Sequence, residues 1–163
     1  MNMSQKVTHS GRKSYNKGRC CMRQEVSEWI AKAEGDFRTA WREWQVTDEP
    51  NFDAVCFHAQ QCVEKYLKAR LIQSEVPFRR IHDLEALLNL VLPIEPDWEH
   101  LREGLQQLTD MAVEIRYPGL DADAEDAAIA IEVAKKVRET ARAALGMITI
   151  TQVDNDFISC STN

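Results

Sequence analysis

The sequence predicts an all-α fold, an antiparallel up-and-down bundle of four longer helices plus one short helix. Apolar residues recur at the i, i+3, i+4, i+7 spacing of amphipathic helices, and no segment of the bundle alternates with the period of two that marks a strand. Proline, glycine and capping residues fall between the periodic stretches. A chain of 163 residues, 44% hydrophobic and 28% charged, suits one domain enclosing a single core.

The first helix runs from Val26 through Trp29, Ile30, Ala33, Phe37, Ala40, Trp41 and Trp44, one continuous stripe. Asp48-Glu49-Pro50-Asn51 breaks it and supplies turn and capping chemistry. The second segment, about Phe52 to Ser74, carries two apolar stripes, Val55, Ala59, Cys62, Tyr66 and Ala69 beside Phe52, Cys56, Val63, Leu67 and Leu71. So wide an apolar arc marks a central helix packed on several faces. Pro77 interrupts the chain, and a short third helix starts near the capping residue Asp83 with Leu84, Leu87, Leu88 and Val91 inward. Pro93 and Pro96 close it. Asp97 opens the fourth, with Trp98, Leu101, Leu105, Leu108, Ala112 and Ile115 inward, until Arg116-Tyr117-Pro118-Gly119 stops it. The fifth, about Ala124 to Leu145, is rich in alanine, which permits close helix approach.

The remaining segments and the charge bound the function. Residues 1–20 hold 5 basic and no acidic residues, residues 146–163 hold 2 acidic and no basic ones, and the 15 basic and 24 acidic residues between them leave the body at −9. Such a body repels a polyanion overall, so contact with nucleic acid needs a local basic patch or the leader. Residues 1–21 read as a disordered basic leader, dispensable for folding, and 146–163 as an unassigned tail. No apolar run approaches the roughly 18 residues of a membrane span, and the leader lacks the apolar core of a signal peptide. Five cysteines without a CxxC spacing fit reduced thiols and a cytoplasmic protein. His58 and Cys62 stand four apart but lack a third ligand, so neither metal nor cofactor is expected.

The run Phe57-His58-Ala59-Gln60-Gln61-Cys62-Val63-Glu64-Lys65-Tyr66-Leu67-Lys68-Ala69, then His82-Asp83-Leu84, then Arg116-Tyr117-Pro118, resembles the HEPN family over roughly Met22 to Leu145. The resemblance implies a small helical bundle, commonly a homodimer, found beside minimal nucleotidyltransferases, in toxin–antitoxin pairs and in RNA-cleaving systems. It implies a nucleotide-, RNA- or partner-binding module paired with a nucleotidyltransferase. The alternatives are a dimeric metal-independent ribonuclease and a purely structural dimeric scaffold. The family's ribonucleases carry an Arg, four to six residues, then a His, an imidazole moving protons beside a guanidinium that holds phosphate. Here Arg116 is followed by Tyr117, Pro118, Gly119, Leu120, Asp121, Ala122 and Asp123, so that motif is absent.

The candidate phosphate-binding residues are Arg79, Arg80, His82 and Arg116, with Lys65, Lys68 and Tyr117 beside them. They fall at helix ends and corners, where distant segments can converge on one ligand. The competing reading of Lys68 is an i, i+4 pair with Glu64 on a solvated face. Convergence of Arg116 with Arg79 and Arg80 requires the second and fourth helices to end at the same pole.

Overall fold

The computed structural model describes residues 22–115 and 117–147. The leader up to residue 21, Arg116 and the tail from residue 148 lie outside the described residues, and so do the expectations placed on them. Five α-helices follow in order, with no strand among the described residues: α1 (Gln24–Trp44), α2 (Phe52–Gln73), α3 (Leu84–Val91), α4 (Arg102–Glu114) and α5 (Ala124–Ala144).

Two of the caps, Asn51 and Asp83, are those the sequence offers. The Ala54 backbone N–H donates to the Asn51 side chain at 2.9 Å, and that of Ala86 donates to Asp83 at 3.0 Å. Asp123 and Asp126 form a reciprocal capping box at the start of α5. One element differs from expectation. The fourth segment opens as a 3-10 helix, Pro96–Leu101, and becomes α-helical only at Arg102. Trp98 and Leu101, both buried, are three residues apart, and the three-residue 3-10 turn sets them on one side.

α2 is the axis of the bundle and packs against each of the other four helices. Its residues Val55, Cys56, Ala59, Cys62, Val63, Tyr66, Leu67, Ala69 and Leu71 are fully buried. α1 is antiparallel to it: Trp44 meets Phe52 at one pole, while Arg23 pairs with Glu75 at the other. α5 runs the same way as α2, since Ala122 before it donates to Asp53 at 2.7 Å and Ala127 and Ile131 pack with Val55.

After α2 the chain doubles back along it, so that His82 lies beside Gln60 and Glu64 in the middle of the helix. α3 then climbs again, and Glu95 accepts from Arg70 Nε at 2.8 Å. α4 descends, ending where Ile115 lines a small cavity with Ala122 and Asp126. The fourth helix therefore ends where the second begins. The shared pole that sequence reasoning required for the two basic corners is not formed, because α3 is parallel to α2 and makes α4 the antiparallel return.

Candidate functional site

Three polar residues are buried among the described residues, Gln60, Glu64 and Lys68, and they stand at i, i+4 and i+8 on α2. At that spacing they form one stripe. Lys68 Nζ donates to Glu64 Oε1 at 2.7 Å, with both side chains about 5% exposed, and lies 5.5 Å over the Trp29 ring. The expected pair is present, but on a buried face rather than a solvated one, because Trp29 and the returning 78–82 segment cover it. Gln60 Nε2 donates to Glu64 Oε2 and to the His82 carbonyl, each at 3.3 Å. His82 Nδ1 lies 3.1 Å from Glu64 Oε1. Burial pushes the Glu64 carboxyl up, yet the Lys68 ammonium and the hydrogen bonds from His82 and Gln60 outweigh it and hold the group below its ordinary 4.5.

The stripe ends at the surface. His82 is tied by its backbone to Gln60 and by Nδ1 to Glu64, but its side chain is 74% exposed. Arg79 and Arg80, on the same loop, are exposed and have no ion pair among the described residues. Beside them Pro77, Phe78, Arg79, Ile81 and Leu90 line an open, largely apolar cavity of about 410 Å³.

The other candidates lie elsewhere. Lys65 Nζ donates to Asp36 Oδ2 at 2.6 Å and to Gln61 Oε1 at 2.9 Å, and the same Asp36 meets His58 Nδ1 at 3.0 Å. Lys65 and His58 are thus both paired with Asp36 of α1, and Cys62, behind them, is fully buried. Among the described residues no group of three His, Cys, Asp or Glu could hold a metal ion. Tyr117 is 62% exposed at the far pole, separated from the Arg79–His82 loop by the descent of α4.

A second polar cluster joins α1, α2 and α5. Glu34 accepts from Arg138 Nε and Nη2, each at 3.0 Å, from Arg142 Nη1 at 2.7 Å and from the Tyr66 hydroxyl. Burial raises this carboxyl, but the two guanidiniums and the phenol outweigh it and keep it below 4.5. Both described cysteines are inert, the Cys56 thiol being pushed up to about 12 by burial and by the carboxylates of Asp126, Asp53 and Asp123.

The family model of the HEPN domain matches residues 26–144, from the first apolar residue of α1 to the last residue of α5. The chain belongs to the HEPN family. Its helices also superpose on two solved structures. With an archaeal HEPN homologue, ST0689, the TM-score is 0.60 at 21% identity, covering 74% of this chain and 97% of that one. With TT1696 from Thermus thermophilus it is 0.63 at 21% identity, covering 75% and 99%. These likenesses speak to the fold. No curated protein matches the chain.

Within the HEPN bundle, sequence reasoning found the basic loop but not what supports it. Gln60 and Glu64 both stand in the run that carries the family resemblance, but Glu64 is read only as the partner of Lys68 and Gln60 is given no role of its own. The available signal was three polar residues spaced by four along a helix already apolar on two stripes, which forces polar groups into the interior. The aromatic edge of the cavity, Phe78, gives no such signal because it sits outside any periodic stretch.

Proposed function

We propose that this HEPN chain is a binding module that takes the phosphate of a nucleotide or RNA on the Arg79–His82 loop and serves a nucleotidyltransferase partner, with catalysis no part of its role. One observation carries the reading. Arg79 and Arg80 stand exposed with no ion pair among the described residues, beside an apolar wall of Pro77, Phe78, Ile81 and Leu90. Lys65, Lys68, Arg70, Arg102, Arg138 and Arg142 are paired with carboxylates, and since Arg38 and Arg42 of α1 are also exposed without an ion pair among the described residues, the reading rests on the apolar wall beside Arg79 and Arg80. Guanidiniums beside an apolar wall suit an anion with a flat apolar body, phosphate on the cations and base against Phe78. The exposed Phe57, Val113 and Leu120 offer surface for a second copy or for the partner protein.

Calorimetric titration of ATP, GTP and a short RNA at low salt tests this. Arg79→Ala and Arg80→Ala are each expected to weaken binding about tenfold, the loss of one charge-assisted contact. The RNA is expected to stay intact through the titration. Absence of binding, or unchanged affinity in both variants, removes the site and favours a purely structural role.

A further inference from the structure

The buried stripe Gln60, Glu64 and Lys68 carries an implication beyond phosphate binding. A buried ion pair is costly to desolvate, and apolar residues at those positions would hold the helix in place as well. This one is not closed on itself: two of its three members also hold the exposed His82, Gln60 by the backbone carbonyl and Glu64 by the ring. An ionised carboxylate only accepts hydrogen bonds, so His82 Nδ1 carries the proton and donates it to Glu64. In the neutral ring the lone pair is then on Nε2, which has no partner among the described residues and belongs to a side chain open to solvent.

We infer that Glu64 positions His82 so that Nε2 shares a proton with a terminal phosphate monoester, making the loop selective for a phosphate end over an internal phosphodiester. A monoester has a second ionisation near neutrality, at about pH 6. Its monoanion donates a P–OH proton to the Nε2 lone pair, or its dianion accepts one from the protonated ring; in both cases a single proton joins N to O. A phosphodiester has no such proton, and it meets the neutral ring as one acceptor facing another. Arg79 and Arg80 supply charge for either ligand, and His82 tells them apart. The inference rests on the phosphate-binding reading proposed above and names the ligand class of that site.

The test has two parts. Nitrogen-15 NMR of the imidazoles in the full chain without ligand, recorded above the ring's titration, is expected to show His82 as the Nδ1–H tautomer. In Glu64→Gln, whose amide can donate as well as accept, the tautomers should mix. Calorimetry then compares adenosine monophosphate with the dinucleoside phosphodiester ApA at neutral pH. Wild type should prefer the monoester, and His82→Ala should lower that preference about tenfold. Because the dianion is favoured by charge alone, the change in preference is the readout rather than the preference itself. His82 is exposed, so His82→Ala keeps the test valid if Glu64→Gln folds poorly. An Nε2–H tautomer in wild type overturns the positioning by Glu64. Binding of both ligands with the same preference in His82→Ala overturns the inference alone, whereas no binding of either takes down the phosphate reading and the ligand assignment with it.

Discussion

Two of the carboxylates drawn into this bundle, Glu34 and Glu64, are satisfied in different ways. Glu34, on α1, is enclosed by Tyr66 of α2 and by Arg138 and Arg142 of α5, groups that all sit on long helices. Glu64, on α2, is held by Lys68 one turn away and by His82 of a loop. The Glu34 cluster ties three helices together and leaves no ring nitrogen or carboxylate oxygen for a ligand. The Glu64 cluster ties one helix to an exposed imidazole. A closed network fixes helix packing, while an open one transmits the rigidity of the core to a surface group, and only the second has the form of a site.

The largest expected effect comes from removing Glu64. In Glu64→Ala the Lys68 ammonium, about 5% exposed, loses its carboxylate inside the bundle. Stranding a buried charge costs about 3–5 kcal/mol. Thermal unfolding should fall by roughly 10–20 °C for a domain of this size. A fall of only a few degrees would mean that Lys68 reaches water when unpaired, and that the stripe is less sealed than its burial indicates.

Glu34→Gln should do less harm, although Glu34 has more partners. The glutamine oxygen still accepts from Tyr66 or from one arginine, and Arg138 and Arg142, 28% and 20% exposed, retain access to solvent. A cost of about 1–2 kcal/mol is expected from the loss of charge-assisted bonds. Urea unfolding of both variants gives the ranking directly. If Glu34→Gln proves worse than Glu64→Ala, the closed cluster is the keystone of the bundle.

How much of this was legible in the sequence follows from the range of the interactions. The helices, with the Asn51 and Asp83 caps, are local, and spacing and composition reveal them. The pole at which each helix ends is not local: it depends on α3 running parallel to α2, a consequence of the return of residues 76–82 along the axis. The Arg79, Arg80 and His82 loop was visible as a dense basic corner. Its support was not, because Gln60 and Glu64 look solvent-facing until the segment that covers them is placed 22 and 18 residues further along. Lys65 reads as a ligand candidate for the same reason, its partner Asp36 being on another helix 29 residues away.

Acid should weaken both clusters together. Each carboxyl has a folded-state value below its ordinary 4.5. In the window between the two values the unfolded chain binds more protons than the folded one, so stability rises with pH there. The contribution is fully present above about pH 4.5 and is lost as the pH falls through the lowered folded-state values. Urea midpoints measured from pH 6 down to pH 3 should be level at first and then drop. Glu34→Gln and Glu64→Gln should each flatten the drop, and a profile unchanged in either would show that the carboxyl in question titrates as if unfolded.

The smallest effect is expected from His82→Ala, and it is the one that separates a site from a strut. The ring is 74% exposed, and without it Glu64 still accepts from Lys68 at 2.7 Å and from Gln60 at 3.3 Å. No buried group is stranded, and the Gln60 bond to residue 82 is to the backbone carbonyl, which alanine preserves. The change should therefore stay within about 0.5–1 kcal/mol, the range of a single exposed polar contact. A structural histidine behaves otherwise: if the Glu64 contact pinned the 76–82 segment to α2, its loss would approach the cost of Glu64→Ala and would open the segment to proteolysis. Limited proteolysis beside thermal unfolding of His82→Ala distinguishes the two. Wild-type stability with a protected loop means that the core contributes to His82 more than His82 contributes to the core.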